Sequence, residues 1–411
     1  MRILYITHDG LTDHIGQSQV LPYLLGLSKL GFAISIISAE KSGNSAKCVS
    51  LALQLKSTSI GWHYVTYHNK PPLISTVFDL CSMYWLARKV VCVSPVGLVH
   101  CRGFLPTFIG MLIKRRFIVP LVFDFRDFWA DRRLISSPYK FVYRFLKRRE
   151  GWMIRSADHI VTLTEKAKGI LQRDYLSGAA LNKSDQITVI PTCADFSHFD
   201  TRGISVADRR ATRQSLGIGT EETVVGYLGT IHPDYMPEAI FRAFLVVRSL
   251  RPGAKFVFIS LTAVAEIMRY ATIYGLDERD VLVIAAVRAD VPRYLSIFDL
   301  SIVFVRPDLS TAGVSPTKLN ELFACNIPVL ANAGVGDLDL IVKPEVNDSV
   351  LLYDFSEVTL MKAIRELLQI VDSPLRRGRD GSIQFSLDEG IGSYHAVYSR
   401  FVQPEKAFAR Q

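Results

Sequence analysis

Short runs dominated by apolar residues alternate along this chain with longer segments in which apolar residues recur every three or four positions. Arg2 to Thr7 (RILYIT), Phe32 to Ser38 (FAISIIS), Gly97 to Cys101, Leu121 to Phe125 (LVFDF), His159 to Leu163 and Gln186 to Ile190 have strand length. Their lack of a polar face predicts strands buried on both sides, as in a parallel sheet. Between Gly16 and Leu30 the residues Val20, Leu21, Leu24, Leu25 and Leu27 fall at helical spacing. From Pro191 to Gly219 the chain becomes turn-rich and charged, which predicts a linker. The alternation then resumes at Thr223 to Leu228 (TVVGYL), Lys255 to Ile259, Val281 to Ala285, Leu300 to Phe304, Ile327 to Leu330 and Val350 to Leu352, with helices over Glu238 to Leu250 and Glu357 to Val371. A final segment from Ser382, with Phe385, Tyr394, Tyr398 and Phe401, reads as helical.

This rhythm predicts the α/β class. We expect a first doubly wound, Rossmann-like domain over residues 1–200, a second over 201–380, and a helical segment over 381–411 that could return to the first domain. Composition agrees with a large core: 49% of the 411 residues are hydrophobic and 21% charged. Six cysteines without CxxC spacing signal neither a zinc site nor a disulfide framework. MRILYITHDG enters a strand at once, without the apolar stretch and cleavage site of a signal peptide. The longest apolar stretch, Val77 to Cys101, is broken by Arg88-Lys89, so no transmembrane helix is expected and the cytoplasm is the default compartment.

Charge changes the picture. The net +9 is the sum of +11 over residues 1–200 and −2 over the rest. Much of the excess lies at Lys114-Arg115-Arg116, Arg132-Arg133 and Lys147-Arg148-Arg149, interleaved with Phe104, Phe108, Met111, Leu112, Phe117, Phe128, Trp129, Phe141, Tyr143, Phe145 and Trp152. Basic residues beside exposed aromatics suit the inner face of an anionic membrane; a solvated helix face with its aromatics in the core explains the pattern equally well. Nucleic acid is disfavoured, since no helix-turn-helix, RNA-binding or zinc module is present.

The chemistry concentrates in Ser310 to Asp337. There a Ser-Pro turn opens a short helix carrying Lys318 and Glu321 on one face. Amides at a helix start attract phosphate, a lysine adds full positive charge, and a carboxylate can hold ribose hydroxyls. With HDGLTDHIGQSQV, FDFRDFWADRR, ADHIVTLTEKAKGIL, VIPTCADFSHF and VGYLGT in that order, nearly the whole chain resembles the GT4 family of retaining glycosyltransferases, the surface-polysaccharide type, with the GT-B fold. The resemblance implies two Rossmann-like domains facing across a cleft, the first binding acceptor and the second a nucleotide diphosphate sugar. It implies transfer of the sugar to a lipid-linked or oligosaccharide acceptor in cell-surface polysaccharide synthesis. The leaving phosphate oxygen would take the acceptor proton, with no general base required.

By that resemblance Gly16 lets backbone approach the donor diphosphate, a role that a plain strand-to-helix turn would explain as well. Gly229 and Thr230 loop beneath the phosphates, and Arg288 lies where backbone grips the base. Gly313, Val314 and Ser315 face the sugar, Lys318 neutralises the leaving group, and Glu321 holds ribose. Asp124, Arg126 and Asp127 follow the strand LVFDF and are expected to bind acceptor or transferring sugar, or to form a structural ion pair. Arg102, His8 and Asp9 share that ambiguity. The sequence departs from the family twice. Ile231 to Met236 lacks the Arg/Lys pair that usually follows Gly229-Thr230, leaving Lys318, with Arg288 or Arg306, to do the work. Gly313 stands where the first acid of the glutamate pair belongs. Asp337-Leu338-Asp339 is expected to cap a helix rather than hold a metal, and neither metal nor cofactor is expected. Two rivals remain: a nucleotide-sugar 2-epimerase of the same fold, and a catalytically idle scaffold subunit.

Overall fold

The computed structural model describes residues 1–176, 185–375 and 377–402. Contacts divide the chain into two units: Met1–Pro191 with Ala312–Val314 and the chain from Leu387 onward, and Thr192–Thr311 with Ser315–Ser386.

The first unit is built on seven strands: β1 Arg2–Thr7, β2 Ala33–Lys41, β3 Ile60–Tyr67, β4 Leu98–Arg102, β5 Leu121–Phe125, β6 His159–Thr162 and β7 Ile187–Val189. They lie in the order β3-β2-β1-β4-β5-β6-β7, every pair parallel. The second carries β8 Val224–Leu228, β9 Lys255–Ile259, β10 Val281–Ile284, β11 Leu300–Val303, β12 Val329–Asn332 and β13 Val350–Leu352, in the order β10-β9-β8-β11-β12-β13 and again all parallel. Both orders reverse direction beside their first strand, between β1 and β4 and between β8 and β11. In doubly wound sheets that reversal leaves a crevice outside the carboxyl ends of the strands, where ligands bind.

Central strands are buried along their length, which explains why they read as continuous apolar runs. The second core is unusually aromatic. Phe241, Phe244, Phe256 and Phe258 are inaccessible to solvent, with ring centroids 4.7 Å apart for Phe244–Phe256 and 4.3 Å for Phe256–Phe258. In the first unit the helix Leu387–Ser399 lies against the helix Leu21–Lys29; a Cβ on Gly26 would come within 2.2 Å of Ile391 Cδ1. Tyr394 and Tyr398 of that helix are buried beside the sheet. The Tyr398 hydroxyl is 2.7 Å from His100 Nδ1, and Tyr394 donates to Asp124 at 3.2 Å.

Three local features depart from the sequence reading. The strand β3 was not anticipated; it lies at the sheet edge, pairs only with β2 and is mostly half-exposed. The segment Gly16–Val20 forms a π-helical turn before the α-helix begins at Leu21. The strand expected over Ile327 to Leu330 starts later, at Val329, because Pro328 has no amide to give the ladder; its carbonyl accepts from Ser301 at 2.9 Å.

Candidate active site

In the second unit β8 ends at Leu228, and the chain turns at Gly229 with φ +102°, a conformation that costs glycine little. A Cβ there would sit 3.3 Å from Lys318 Nζ. The Tyr227 hydroxyl donates to the carbonyl of Thr230, itself exposed, at 3.0 Å and so fixes this turn. Lys318 occupies the first turn of the helix Thr317–Ala324, which Pro316 leads into. The loop before the helix is anchored within the same unit. Thr192 Oγ1 donates to the Ser315 carbonyl at 2.6 Å, and Asn320 Nδ2 donates to the Thr192 carbonyl at 2.5 Å.

Lys318 is half-buried, and among the described residues no carboxylate lies within 4 Å of its ammonium group. Its neighbours are aromatic. Nζ is 3.3 Å from the Tyr227 hydroxyl, 4.7 Å from the Tyr227 ring centroid and 3.8 Å from that of Tyr235. Burial pulls the Lys318 pKa down to about 7, against the opposing pull of Glu321. Glu321 is 8% exposed, and burial pushes its carboxyl up to about 7 although Arg288 and Lys318 oppose this. Arg288 Nη1 is 3.6 Å from Glu321 Oε1, and its guanidinium lies 5.3 Å from the centre of the Phe199 ring. His198 Nε2 donates to the Arg288 carbonyl at 3.1 Å. Gly229, Thr230, Arg288, Ser315, Lys318 and Glu321 thus belong to one unit, and Lys318 and Glu321 tie Gly229 and Arg288 together. Gly313 and Val314 belong instead with the first unit.

At the end of the first sheet the charges are paired. Arg102 Nη1 donates to Asp9 at 2.6 Å and its Nη2 to Gln19 Oε1 at 2.9 Å; Arg126 donates to the same Gln19 oxygen at 3.3 Å and to Asp124 at 3.4 Å. Asp124, expected to face ligand, is 1% exposed. Its side chain turns to the sheet face covered by Tyr394, with His100 Nε2 3.5 Å away. Burial alone would raise its pKa, but Arg126, His100 and Arg102 hold it well below the usual carboxylate range. Asp127 pairs with Arg132 at 2.6 Å; burial nevertheless raises its carboxyl. His8 Nε2 and Arg102 Nε are buried without a hydrogen-bond partner among the described residues, and burial lowers the His8 pKa against the opposing pull of Asp9 and Asp79.

Gly16 has a structural reason to be glycine: a Cβ would lie 2.1 Å from the Gly10 carbonyl oxygen. The loop folds onto itself there, held by the buried Glu40, which accepts from Leu11 N at 2.6 Å, Thr12 Oγ1 at 2.6 Å and Ser38 Oγ at 2.6 Å. Glu40 escaped the sequence reading because a lone acid ending an apolar strand looks like a solvated terminus. Tyr227, Tyr235, Gln19 and Phe199 also escaped it; only their nearness in sequence to recognised turns marked them. The expected aspartate cap is absent in that form: Asp337 makes no side-chain cap bond, and Asp339 accepts from Gly334 N at 3.2 Å.

The basic, aromatic stretch of the first unit divides. Phe104, Met111, Phe128 and Tyr143 enter the core, whereas Leu112, Phe141, Phe145 and Trp152 are exposed. On the helix Lys140–Ser156 the residues Phe141, Phe145, Arg148, Trp152 and Arg155 follow one another at three- and four-residue steps along one exposed face. Its single acid, Glu150, is buried and bonded to Lys147 at 2.7 Å. Among the described residues no helix is long and apolar enough to cross a membrane, and no group of three or more His, Cys, Asp or Glu is placed to hold a metal ion.

Comparison with known proteins bears on both units. Residues 19–193 match the family model of the glycosyl transferase 4-like domain. A glycosyltransferase from Rickettsia africae superposes with a TM-score of 0.72 over 98% of both chains at 15% identity. Anabaena Alr3699/HepE, solved with UDP-glucose, superposes with a TM-score of 0.68 over 97% of this chain and 100% of that one at 17% identity. The fold is GT-B. Among curated sequences, D-inositol 3-phosphate glycosyltransferase of Segniliparus rotundus is 27% identical over 73% of this chain. The match spans 66% of that relative's length, and 55% of a relative of the same name from Mycobacterium.

Proposed function

We propose that this protein is a retaining glycosyltransferase that takes a sugar from a nucleotide diphosphate sugar and passes it to a lipid-linked or oligosaccharide acceptor in cell-surface polysaccharide synthesis. One observation carries the reading: a half-buried lysine with, among the described residues, no carboxylate within 4 Å of its ammonium group, set beside a positive-φ glycine at the strand-order reversal of the second sheet. A buried cation lacking a counter-ion is costly. A diphosphate arriving there supplies the missing charge, and more is needed as the leaving group develops in the transition state. Glu321 and Arg288 then hold the ribose end. UDP-glucose bound to Alr3699/HepE supports a nucleotide-sugar donor.

On the acceptor side the reading rests on His8, Asp9, Arg102 and Arg126. A buried imidazole nitrogen of His8 and the buried guanidinium Nε of Arg102, neither with a hydrogen-bond partner among the described residues, suit a polyhydroxylated ligand. The acceptor proton passes to the leaving phosphate oxygen. The aromatic and cationic face of the Lys140–Ser156 helix favours acceptors at an anionic membrane surface, where each basic residue adds about 1 kcal/mol. No metal is assigned to this mechanism, since Lys318 provides the charge that the diphosphate requires.

The test incubates the protein with radiolabelled UDP-, ADP- and GDP-sugars, with and without lipid-linked acceptors in phosphatidylglycerol vesicles. The expected outcome is label in the lipid product with the anomeric configuration retained. Epimerised nucleotide sugar without acceptor would establish the epimerase instead. If neither UDP, ADP nor GDP at 100 times a typical dissociation constant raised the stability by about 2.7 kcal/mol, the idle scaffold would stand.

A further inference from the structure

Resting on the donor reading above, we infer that Tyr235, together with Tyr227, forms an aromatic cage that holds the Lys318 ammonium charged and aimed before the donor arrives, so that Tyr235 is a positioning residue for the leaving diphosphate. By resemblance, relatives place an arginine and a lysine in the segment after Gly229-Thr230. Here that segment, Ile231 to Met236, contains neither arginine nor lysine and instead delivers Tyr235. Its ring centroid is 3.8 Å from Lys318 Nζ, closer than that of Tyr227 at 4.7 Å. Ring faces carry partial negative charge and attract an ammonium most when both are shielded from water.

The turn that presents Tyr235 is fixed on several sides. It is a 3-10 turn, Pro233–Tyr235, followed by Met236 at φ +53° and then the helix Pro237–Leu250. The amide of Arg306 donates to the Asp234 carbonyl at 2.7 Å, and that of Tyr235 to the His232 carbonyl at 2.8 Å. The ring therefore needs no ligand to keep its place. Lys318 is faced by the Tyr227 hydroxyl and ring from β8, by Tyr235 from this turn and by Glu321 from its own helix, with Arg288 beyond Glu321. Of these only Glu321 can bring a negative charge, and burial and Arg288 bear on its ionisation in opposite senses. The uncharged rings are the constant attraction.

The experiment measures binding of UDP, ADP and GDP by calorimetry to the full-length protein and to Tyr235→Phe, Tyr235→Leu, Tyr235→Met and Lys318→Ala, at about pH 6 and pH 8.5. Tyr235→Leu and Tyr235→Met are expected to weaken the nucleotide that binds about tenfold at the higher pH, and less than threefold at the lower pH, where Lys318 is protonated without help. Tyr235→Phe, which keeps the ring face, is expected within twofold of the parent at both. Two bulky aliphatic replacements guard against one that fails to fold. Equal losses in Phe, Leu and Met, or losses independent of pH, would overturn the cage. If Lys318→Ala abolished binding while the Leu and Met variants bound normally, this inference alone would fall; if Lys318→Ala bound normally, the donor reading itself would fail.

Discussion

The two sheet ends solve the same topological problem with opposite electrostatics. At the first, Arg102 and Arg126 are matched to Asp9 and Asp124 and share Gln19. At the second, Lys318 and Glu321 are both driven by burial toward neutrality near pH 7. The first is a network of paired charges in which His8 Nε2 and Arg102 Nε stay without a hydrogen-bond partner among the described residues. The second holds a lysine and a glutamate perturbed in opposite directions, the pattern that the donor reading proposed above uses.

The largest effect that would separate them is on stability. Arg126→Ala strands the buried Asp124 carboxylate, and removing one partner of a buried pair costs about 3–5 kcal/mol. Asp124 has a depressed native pKa, so its contribution is present above its ordinary value of about 3.9 and lost as pH falls through the native value. Thermal melts of Arg126→Ala should therefore show a lower melting temperature at neutral pH and acid unfolding that begins at higher pH. Unchanged melts would mean that the charges of the first network are no better paired than those of the second.

Lys318→Ala comes next. Losing the main stabiliser of a developing anion should lower kcat about 10²–10³-fold, measured as transfer of labelled sugar, while the melting temperature holds or rises because a buried charge has gone. A stability loss resembling that of Arg126→Ala would erase the contrast. The smallest effect is on pH dependence. Glu321, with its pKa raised to about 7, takes up protons on folding, so stability falls as pH rises from its unfolded value to about 7. Lys318, lowered to about 7, releases protons on folding, so stability climbs from about 7 toward its unfolded value. Without ligand the two contributions together are least favourable near neutrality. Glu321→Gln should raise the melting temperature by a few degrees at pH 8 and not at pH 4, as scanning calorimetry would register.

Much of this was legible in the sequence. Among the described residues, twelve of thirteen strands were foreseen because buried parallel strands leave no polar face to confuse with loop. The strand β3 was missed for the converse reason: IGWHYVTY lies at an edge, half in water, and carries polar residues accordingly. Lys318 and Glu321 were marked by spacing and Gly229 by the family resemblance, and the three fall in one unit. The environments of the residues could not be read. Whether Asp124 meets ligand or core depends on Tyr394, 270 residues away, and whether Lys318 meets acid or ring depends on Tyr227 and Tyr235, from a strand and a turn before it. Such pairings come from tertiary packing, which no local pattern encodes.

The return of the Leu387–Ser399 helix to the first unit has a consequence for biosynthesis. His100 and Asp124 emerge early from the ribosome, yet the tyrosines that shelter them follow only after the whole second unit has been made. The half that is synthesised first is therefore the half that must wait, the polar side chains of its central strands unsealed until almost four hundred residues have been joined.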